Sequence, residues 1–344
     1  MNIAITADPV IPVPPKLYGG IERIIDLLIN GLVKQGHTVT LFAHKDSKVM
    51  CKLVPYKTTG NGIKDNISNA LIINKTLLSN KFDIVHSFGR LGYLLPQMPL
   101  SVPKLMSYQR EPTISQIKKA VKLCAKDTLA FTGCSNYITD KLKPFAQAYT
   151  VYNGIDISKY HASATVNTGA PLVFLGRIEA IKGTHTAIEI AQKTNRKLII
   201  AGNIPAQEQD YFDTQIKPSL NEQITYIGAV DDIQKNELLQ NASALLMPIH
   251  WNEPFGIVMI EAMACGTPVI GFNRGAVPEV IENGITGYYA ETTHELMEKI
   301  NLIHLLNRKR IREITEERFS AAVIVARYLH IYKQIIRTNE NCCL

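Results

Sequence analysis

Glu253-Pro254-Phe255-Gly256-Ile257-Val258-Met259-Ile260-Glu261 is the stretch on which the architecture turns. It follows Ala244-Leu245-Leu246-Met247-Pro248, an unbroken apolar run of the kind that forms a parallel strand buried on both faces. It opens a helical pattern that continues through Ala262-Met263-Ala264 and stops at Gly266-Thr267-Pro268. Glu253 is therefore expected on the loop at a strand's C-terminal end. Gly256, Ile257 and Val258 are expected in the first turn of the next helix, where backbone N–H groups lack intrahelical partners and can meet an anion. Glu261 lies about one turn further in and reaches back over the same crevice. Two carboxylates flanking a phosphate-ready helix start suit a ligand with sugar hydroxyls at both ends and phosphates between. Taken singly, Glu253 is equally a solvated loop residue and Glu261 a surface helix residue. The apolar neighbours Ile260, Ala262, Met263 and Ala264 weigh against the second of these.

Working outward, the same strand-then-helix alternation runs through two blocks. In the first, strands are expected over residues 2–7, 36–43, 82–86, 102–108, 129–134 and 148–152. A proline-rich loop from Asp8 to Tyr18 ends in Gly19-Gly20, and a helix follows with Ile21, Ile24, Ile25, Leu28 and Leu32 on one face. Strand, glycine loop, helix is the phosphate-binding order of doubly wound sheets, although a plain tight turn reads the same way. Lys45 to Asn61 reads as an irregular basic stretch, and Ile117 to Lys126 as a short amphipathic helix with Lys118, Lys119, Lys122 and Lys126 on its polar face. Ser158 to Ala170, small and polar, reads as a hinge. The pattern then restarts with strands near 172–176, 197–202, 224–228, 244–247 and 268–272. The expected division is 1–160, 161–320 and a final segment 321–344, which combines an apolar-faced helix and a frayed tail over Thr338 to Leu344. This is an α/β plan of two Rossmann-like doubly wound domains.

Arg177 follows the first strand of the second block, and Lys182 precedes Gly183. Strand ends are where ligands sit in such sheets, an Arg chelates phosphate oxygens, and a Lys adds a point charge. Either could also be an ordinary surface charge. Asp231-Asp232 is read as a helix cap, and no metal-ligand spacing is present. The formal net charge of +7 is uneven: residues 1–160 hold 20 Lys and Arg against 10 Asp and Glu, and residues 161–344 hold 17 against 20. The first block is expected to face something anionic or to carry a solubilising surface. Six cysteines without a C-x-x-C pair read as reduced thiols. No apolar run approaches the roughly 20 residues of a membrane span. Neither a signal peptide nor a prenylation signal is expected, which points to a cytoplasmic protein with, at most, peripheral contact at the inner membrane surface.

The E-x7-E arrangement within Trp251-Asn252-Glu253-Pro254-Phe255-Gly256, with Gly266-Thr267-Pro268-Val269-Ile270-Gly271 and Gly275-Ala276-Val277-Pro278-Glu279-Val280-Ile281, resembles the retaining glycosyltransferases of family 4. The resemblance covers nearly the whole chain and implies the GT-B fold, with its last helix crossing back to the first domain. It implies a nucleotide-sugar donor, UDP- or GDP-linked, and a glycan, lipid-linked or small-molecule acceptor, without cofactor or metal and without nucleic acid. By residue matching, Arg177 and Lys182 would grip the donor diphosphate, Glu261 the ribose and Glu253 the transferred sugar. Further donor contacts would come from Gly19, Gly20, Gly176, Gly202, Gly228, Val230, Pro254, Phe255, Gly256, Ile257 and Val258, with the base near Ile227 to Val230. One position departs from the pattern. Gln109 stands where the family usually has a His, and it can hydrogen-bond but cannot act as a base. It is followed by Arg110 and Glu111, which could pair with each other or read the acceptor, while His86 ends a different strand. The competing readings are a non-catalytic nucleotide-sugar-binding protein and a GT-B epimerase or phosphorylase.

Overall fold

The computed structural model describes residues 1–15, 19–60 and 62–342. The end of the proline-rich loop (16–18), Asn61 at the end of the basic stretch, and the last two residues of the expected tail lie outside the described residues. The chain divides into two compact units, Met1–Gly154 with the segment from Ala321 onward, and Ile155–Ser320.

The first unit is a seven-stranded parallel sheet in the order β3-β2-β1-β4-β5-β6-β7. Its strands are β1 (Asn2–Thr6), β2 (Thr38–Ala43), β3 (Lys52–Pro55), β4 (Ile84–Ser87), β5 (Lys104–Tyr108), β6 (Leu129–Gly133) and β7 (Ala148–Thr150). The central strands are buried along their length because helices cover both faces. The helix Gly20–Lys34 crosses from β1 to β2 and buries Ile24, Ile25, Leu28, Ile29 and Leu32. The helix Ile63–Ser79, the 3₁₀ segment Leu91–Gln97 and the helix Ile114–Leu123 make connections that run the other way across the sheet. Right-handed crossovers therefore put them on the opposite face. β3 replaces the expected irregular basic stretch. It is an edge strand with half-exposed residues, so no hydrophobic run announced it.

The helix Ala321–Cys342 belongs to this unit. Gly31 admits it closely, since a Cβ there would lie 2.3 Å from Val325 Cγ2. Helix continues through 338–342, where a frayed tail was expected. Thr338 Oγ1 donates to Gln334 O at 3.0 Å and Asn339 Nδ2 to Ser101 O at 2.7 Å, which ties this end down. Tyr332 hydroxyl meets His86 Nδ1 at 2.6 Å, and His86 Nε2 meets Ser107 Oγ at 2.6 Å. His86 is thus a wholly buried core residue.

The second unit has a six-stranded parallel sheet in the order β10-β9-β8-β11-β12-β13. These strands are β8 (Leu172–Leu175), β9 (Leu198–Ala201), β10 (Ile224–Tyr226), β11 (Ala244–Met247), β12 (Val269–Phe272) and β13 (Gly287–Ala290). Its core packs Leu172, Phe174, Ile200, Leu246 and Ile270 against Ile190, Leu296 and Ile300. The unit begins at Ile155, ahead of the expected boundary at 160, and the expected hinge from Ser158 onward is anchored in it. Arg312 donates to Ile157 O at 3.1 Å and Tyr160 O at 2.9 Å, and Arg308 to Ser163 O at 2.8 Å. No helix among the described residues is long and apolar enough to cross a membrane.

Burial pushes His86 down to about 3, against an ordinary 6.5. Above pH 6.5 neither the folded nor the unfolded chain carries this proton. As pH falls from 6.5 towards 3, only the unfolded chain gains it, and stability drops by about 1.4 kcal/mol per pH unit. His86→Gln should flatten the stability slope between pH 6 and pH 4 by about that amount. Urea melts across this range check it, and an unaltered slope would mean that His86 is protonated in the folded chain.

Candidate active site

β8 and β11 are neighbours, and the strand order reverses across them, with β9 and β10 on one side and β12 and β13 on the other. Such a reversal leaves a crevice beyond the strands' C-terminal ends. Arg177 stands just past β8, while Trp251 and Glu253 lie on the loop after β11. Lys182 ends a 3₁₀ turn, Ala180–Lys182, that returns towards this loop. Gly183 follows at φ 77°, and a Cβ there would lie 1.9 Å from Pro248 O, so only glycine lets the turn approach β11's exit. As a result Lys182 Nζ lies 2.7 Å from Glu253 Oε2, which also accepts from Trp251 Nε1 at 3.0 Å. Lys182 Nζ is 4.9 Å from the centre of the Trp251 ring. Arg177 Nη1 pairs with Glu179 Oε1 at 2.8 Å, and Glu179 is buried.

Gly256 precedes the helix Ile257–Ala264 at φ 79°. Val258 and Ile257, half-buried, stand in its first turn, as the sequence pattern requires. Pro254 and Phe255 are buried between Glu253 and this helix. Glu261 is on the same helix and 7% exposed, so it is no surface residue. Its Oε1 accepts from Lys235 Nζ at 2.6 Å and from Tyr160 hydroxyl at 2.7 Å. Lys235 also pairs with Asp232 at 3.1 Å. Burial opposes the Lys235 ammonium, but the carboxylates of Glu261 and Asp232 outweigh it, and its pKa is raised.

Lys235 is placed by the helix Asp232–Gln240, which Asp231 caps: its Oδ1 accepts from Ile233 N at 2.9 Å and Gln234 N at 2.8 Å. Ile227, Ala229 and Val230, just before this helix, line an open cleft of about 420 Å³ with Ile199 and Leu238. Gly176, Gly202 and Gly228 follow three adjacent strands, β8, β9 and β10. Gly202 N donates to Gly228 O at 2.8 Å, and its α-carbon packs against Gly176 O.

The structure thus brings Lys182 to Glu253, and Glu261 to two residues that the sequence pattern did not single out, Lys235 and Tyr160. Lys235 lies on a helix with no motif, and Tyr160 in a stretch read as hinge. A stacked histidine pair was also missed: His185 and His250 have ring centres 5.2 Å apart, with His250 Nε2 on Thr186 Oγ1 at 2.8 Å. Burial lowers both pKa values, which disfavours the charged form of each ring. The remaining candidates belong to the first unit. Gly19 and Gly20 stand at the start of the helix Gly20–Lys34, and Gln109 is half-buried just after β5. Glu111 does not pair with Arg110; both its oxygens take Lys141 Nζ at 2.6 Å.

Two family descriptions match this sequence, "Glycosyltransferase Family 4" over residues 18–159 and "Glycosyl transferases group 1" over residues 157–318. Spore coat protein SA of Bacillus subtilis is 25% identical over 384 residues, covering 97% of this chain and 100% of that one. The N-acetyl-alpha-D-glucosaminyl L-malate synthase of Bacillus anthracis is 29% identical over 231 residues, 60% of this chain and 58% of that enzyme. The Anabaena protein HepE, solved in complex with UDP and glucose, superposes with a TM-score of 0.74 at 19% identity, over 97% of this chain and 100% of that one. At such identity the likeness speaks for the fold.

Removing Lys235 would leave the buried Glu261 carboxylate with the Tyr160 hydroxyl and no countercharge. Lys235→Met should destabilise the protein by about 3 kcal/mol, the scale of breaking a buried pair from one side. Adding Glu261→Gln should recover part of that loss. Denaturant unfolding of both variants tests it; equal midpoints for wild type and Lys235→Met would mean that solvent already screens Glu261.

Proposed function

Because this chain belongs to family 4 of the glycosyltransferases and has their GT-B fold, we propose that it transfers a sugar, with retention at the anomeric carbon, from a UDP- or GDP-linked donor to a hydroxyl of a glycan, lipid-linked or small-molecule acceptor. The observation that carries this reading is the Lys182–Glu253 pair at the strand-order reversal, beside the helix start at Gly256. A cation and a carboxylate that satisfy each other without ligand can exchange partners when one arrives. In this reading Lys182 moves to a diphosphate oxygen, and Glu253 is released to accept from hydroxyls of the sugar. Arg177 shifts in the same way from Glu179 to phosphate. Glu261, held at Oε1, offers Oε2 to the ribose hydroxyls, and the N–H groups of Ile257 and Val258 meet phosphate or sugar oxygens.

The bond between the anomeric carbon and the diphosphate oxygen breaks, and its electron pair leaves with the nucleoside diphosphate. Arg177 and Lys182 stabilise that charge as it grows, so their effect is largest in the transition state. The acceptor oxygen attacks from the leaving-group face, and its proton passes to a donor phosphate oxygen. The reading assigns leaving-group charge to protein cations and calls on no metal. It also takes the lysines of the helix Ile114–Leu123, with Lys126 just beyond, as facing an anionic acceptor or membrane surface. Lys118, Lys119, Lys122 and Lys126 are all exposed, which supports this.

Incubation with UDP-, GDP- and ADP-sugars, scored for release of nucleoside diphosphate, tests the reaction and its donor. Arg177→Ala and Lys182→Ala should each lower kcat by about 10²-fold, measured below the melting temperature of each variant, since Glu179 and Glu253 lose their ion-pair partners. Full turnover by both at saturating donor would remove them from the leaving group. Glu261→Ala should weaken nucleoside diphosphate binding by about 1.5–3 kcal/mol, the range for a hydrogen bond to a charged group. Calorimetry showing wild-type affinity for every nucleoside diphosphate would take Glu261 out of the site.

A further inference from the structure

The helix Ile63–Ser79 has two apolar faces. The inner one buries Asn69, Ile73 and Leu77, and Asn66 and Asn74 accept hydrogen bonds from Arg90 and Gln97 beside it. The outer one leaves Ile63 80%, Ile67 55%, Leu71 62% and Leu78 66% exposed. At 100° per residue these four fall within a sector of roughly 80°. Lys64 and Lys75, both exposed, follow along one edge of that sector. On the same face of the sheet, Leu95, Leu100 and Leu123 are also exposed, as are Lys118, Lys119, Lys122 and Lys126. Asn74, turned to Gln97, falls within that sector of the helix, so the stripe is Ile63, Ile67 and Leu71 on successive turns with Leu78 two turns on. Scattered exposed leucines need no explanation; three apolar side chains on successive turns of one helix do.

We propose that the first unit docks on an anionic lipid bilayer through the outer face of the helix Ile63–Ser79, its apolar stripe entering the interface and the neighbouring lysines meeting the headgroups. The proposal deepens the anionic-surface reading of the first unit and rests on it. Charge decides the occupant. Residues 57–127 carry eleven Lys and Arg against four Asp and Glu; with Lys104 buried and Arg90 paired to Asp8, nine cations remain, so the stripe sits in a basic field that matches anionic headgroups. A second copy docked face to face would set the same lysines against one another, because a two-fold interface pairs a surface with itself. A narrow apolar stripe edged by lysines is the pattern of a helix lying in the plane of the interface.

Co-sedimentation of the full chain with vesicles of equal phosphatidylglycerol and phosphatidylcholine, and with phosphatidylcholine alone, tests this. Wild type should bind the first and not the second. Ile67→Ser/Leu71→Ser should lower the partition coefficient by roughly tenfold per side chain, with an unchanged melting temperature. Ile63→Ser/Leu78→Ser, in a separate protein, should do the same and guards against a local folding effect. Charge reversal at Lys118 and Lys122 probes the electrostatic part alone. If both serine pairs bind like wild type while charge reversal abolishes binding, the stripe proposal is overturned and the basic-surface reading stands. No wild-type binding to the anionic vesicles overturns both. A wild-type dimer in sedimentation equilibrium that either serine pair converts to monomer assigns the stripe to a second copy and overturns the bilayer.

Discussion

The second unit depends on the adjacency of β8 and β11. These strands are separated in sequence by β9, β10 and the helices between, yet they pair because the chain leaves β8 on one side and returns on the other. Right-handed crossovers in a parallel sheet permit this reversal, and it opens the crevice at the strand ends. Arg177, Lys182, Glu253 and Gly256 have their common location for that reason. Gly183 is the local condition of it, since any side chain there would meet Pro248 O and push the Lys182 turn away from the β11 loop.

Around that crevice, charges are satisfied in pairs that a ligand can replace or use. Lys182 and Trp251 converge on one oxygen of Glu253, and Lys235 and Tyr160 converge on one oxygen of Glu261. Other buried polar groups are structural. Arg308 reaches Ser163, Ala242 and Gln240 carbonyls and the Thr267 hydroxyl, an arrangement no ligand could share without unfolding the chain around it. His86 is of the same kind: the Tyr332 and Ser107 hydroxyls occupy both ring nitrogens, and burial keeps the ring neutral. Two polar residues at strand ends, His86 and Arg177, thus differ in role because one is enclosed and the other borders a crevice.

Several elements show where sequence patterns stop informing. β3 pairs at a sheet edge with half-exposed residues, so its strand character comes from hydrogen bonding to β2 rather than from an apolar run. The helix Ile63–Ser79 splits its apolar residues between two faces, which blurs a single amphipathic stripe. The helix from Ala321 extends beyond its apolar pattern because Asn339 finds a carbonyl at Ser101. Ser158 to Ala170 has a linker's composition, but backbone carbonyls within and just before it are occupied by Arg308 and Arg312, and composition does not record what a carbonyl accepts.

By itself the sequence determined the two-block α/β plan, the strand-end locations of Arg177 and Glu253, the helix start at Gly256 and the cap at Asp231. Each of these is written in hydrophobic runs, glycine breaks or capping residues within a few positions. Only the tertiary structure decided that Lys182 meets Glu253, that Lys235 and Tyr160 hold Glu261, that Glu111 takes Lys141 instead of Arg110, and that His86 is core. Those outcomes depend on strand order and on which surfaces become enclosed. Both are settled by crossovers and packing between segments tens to hundreds of residues apart, which no local pattern encodes.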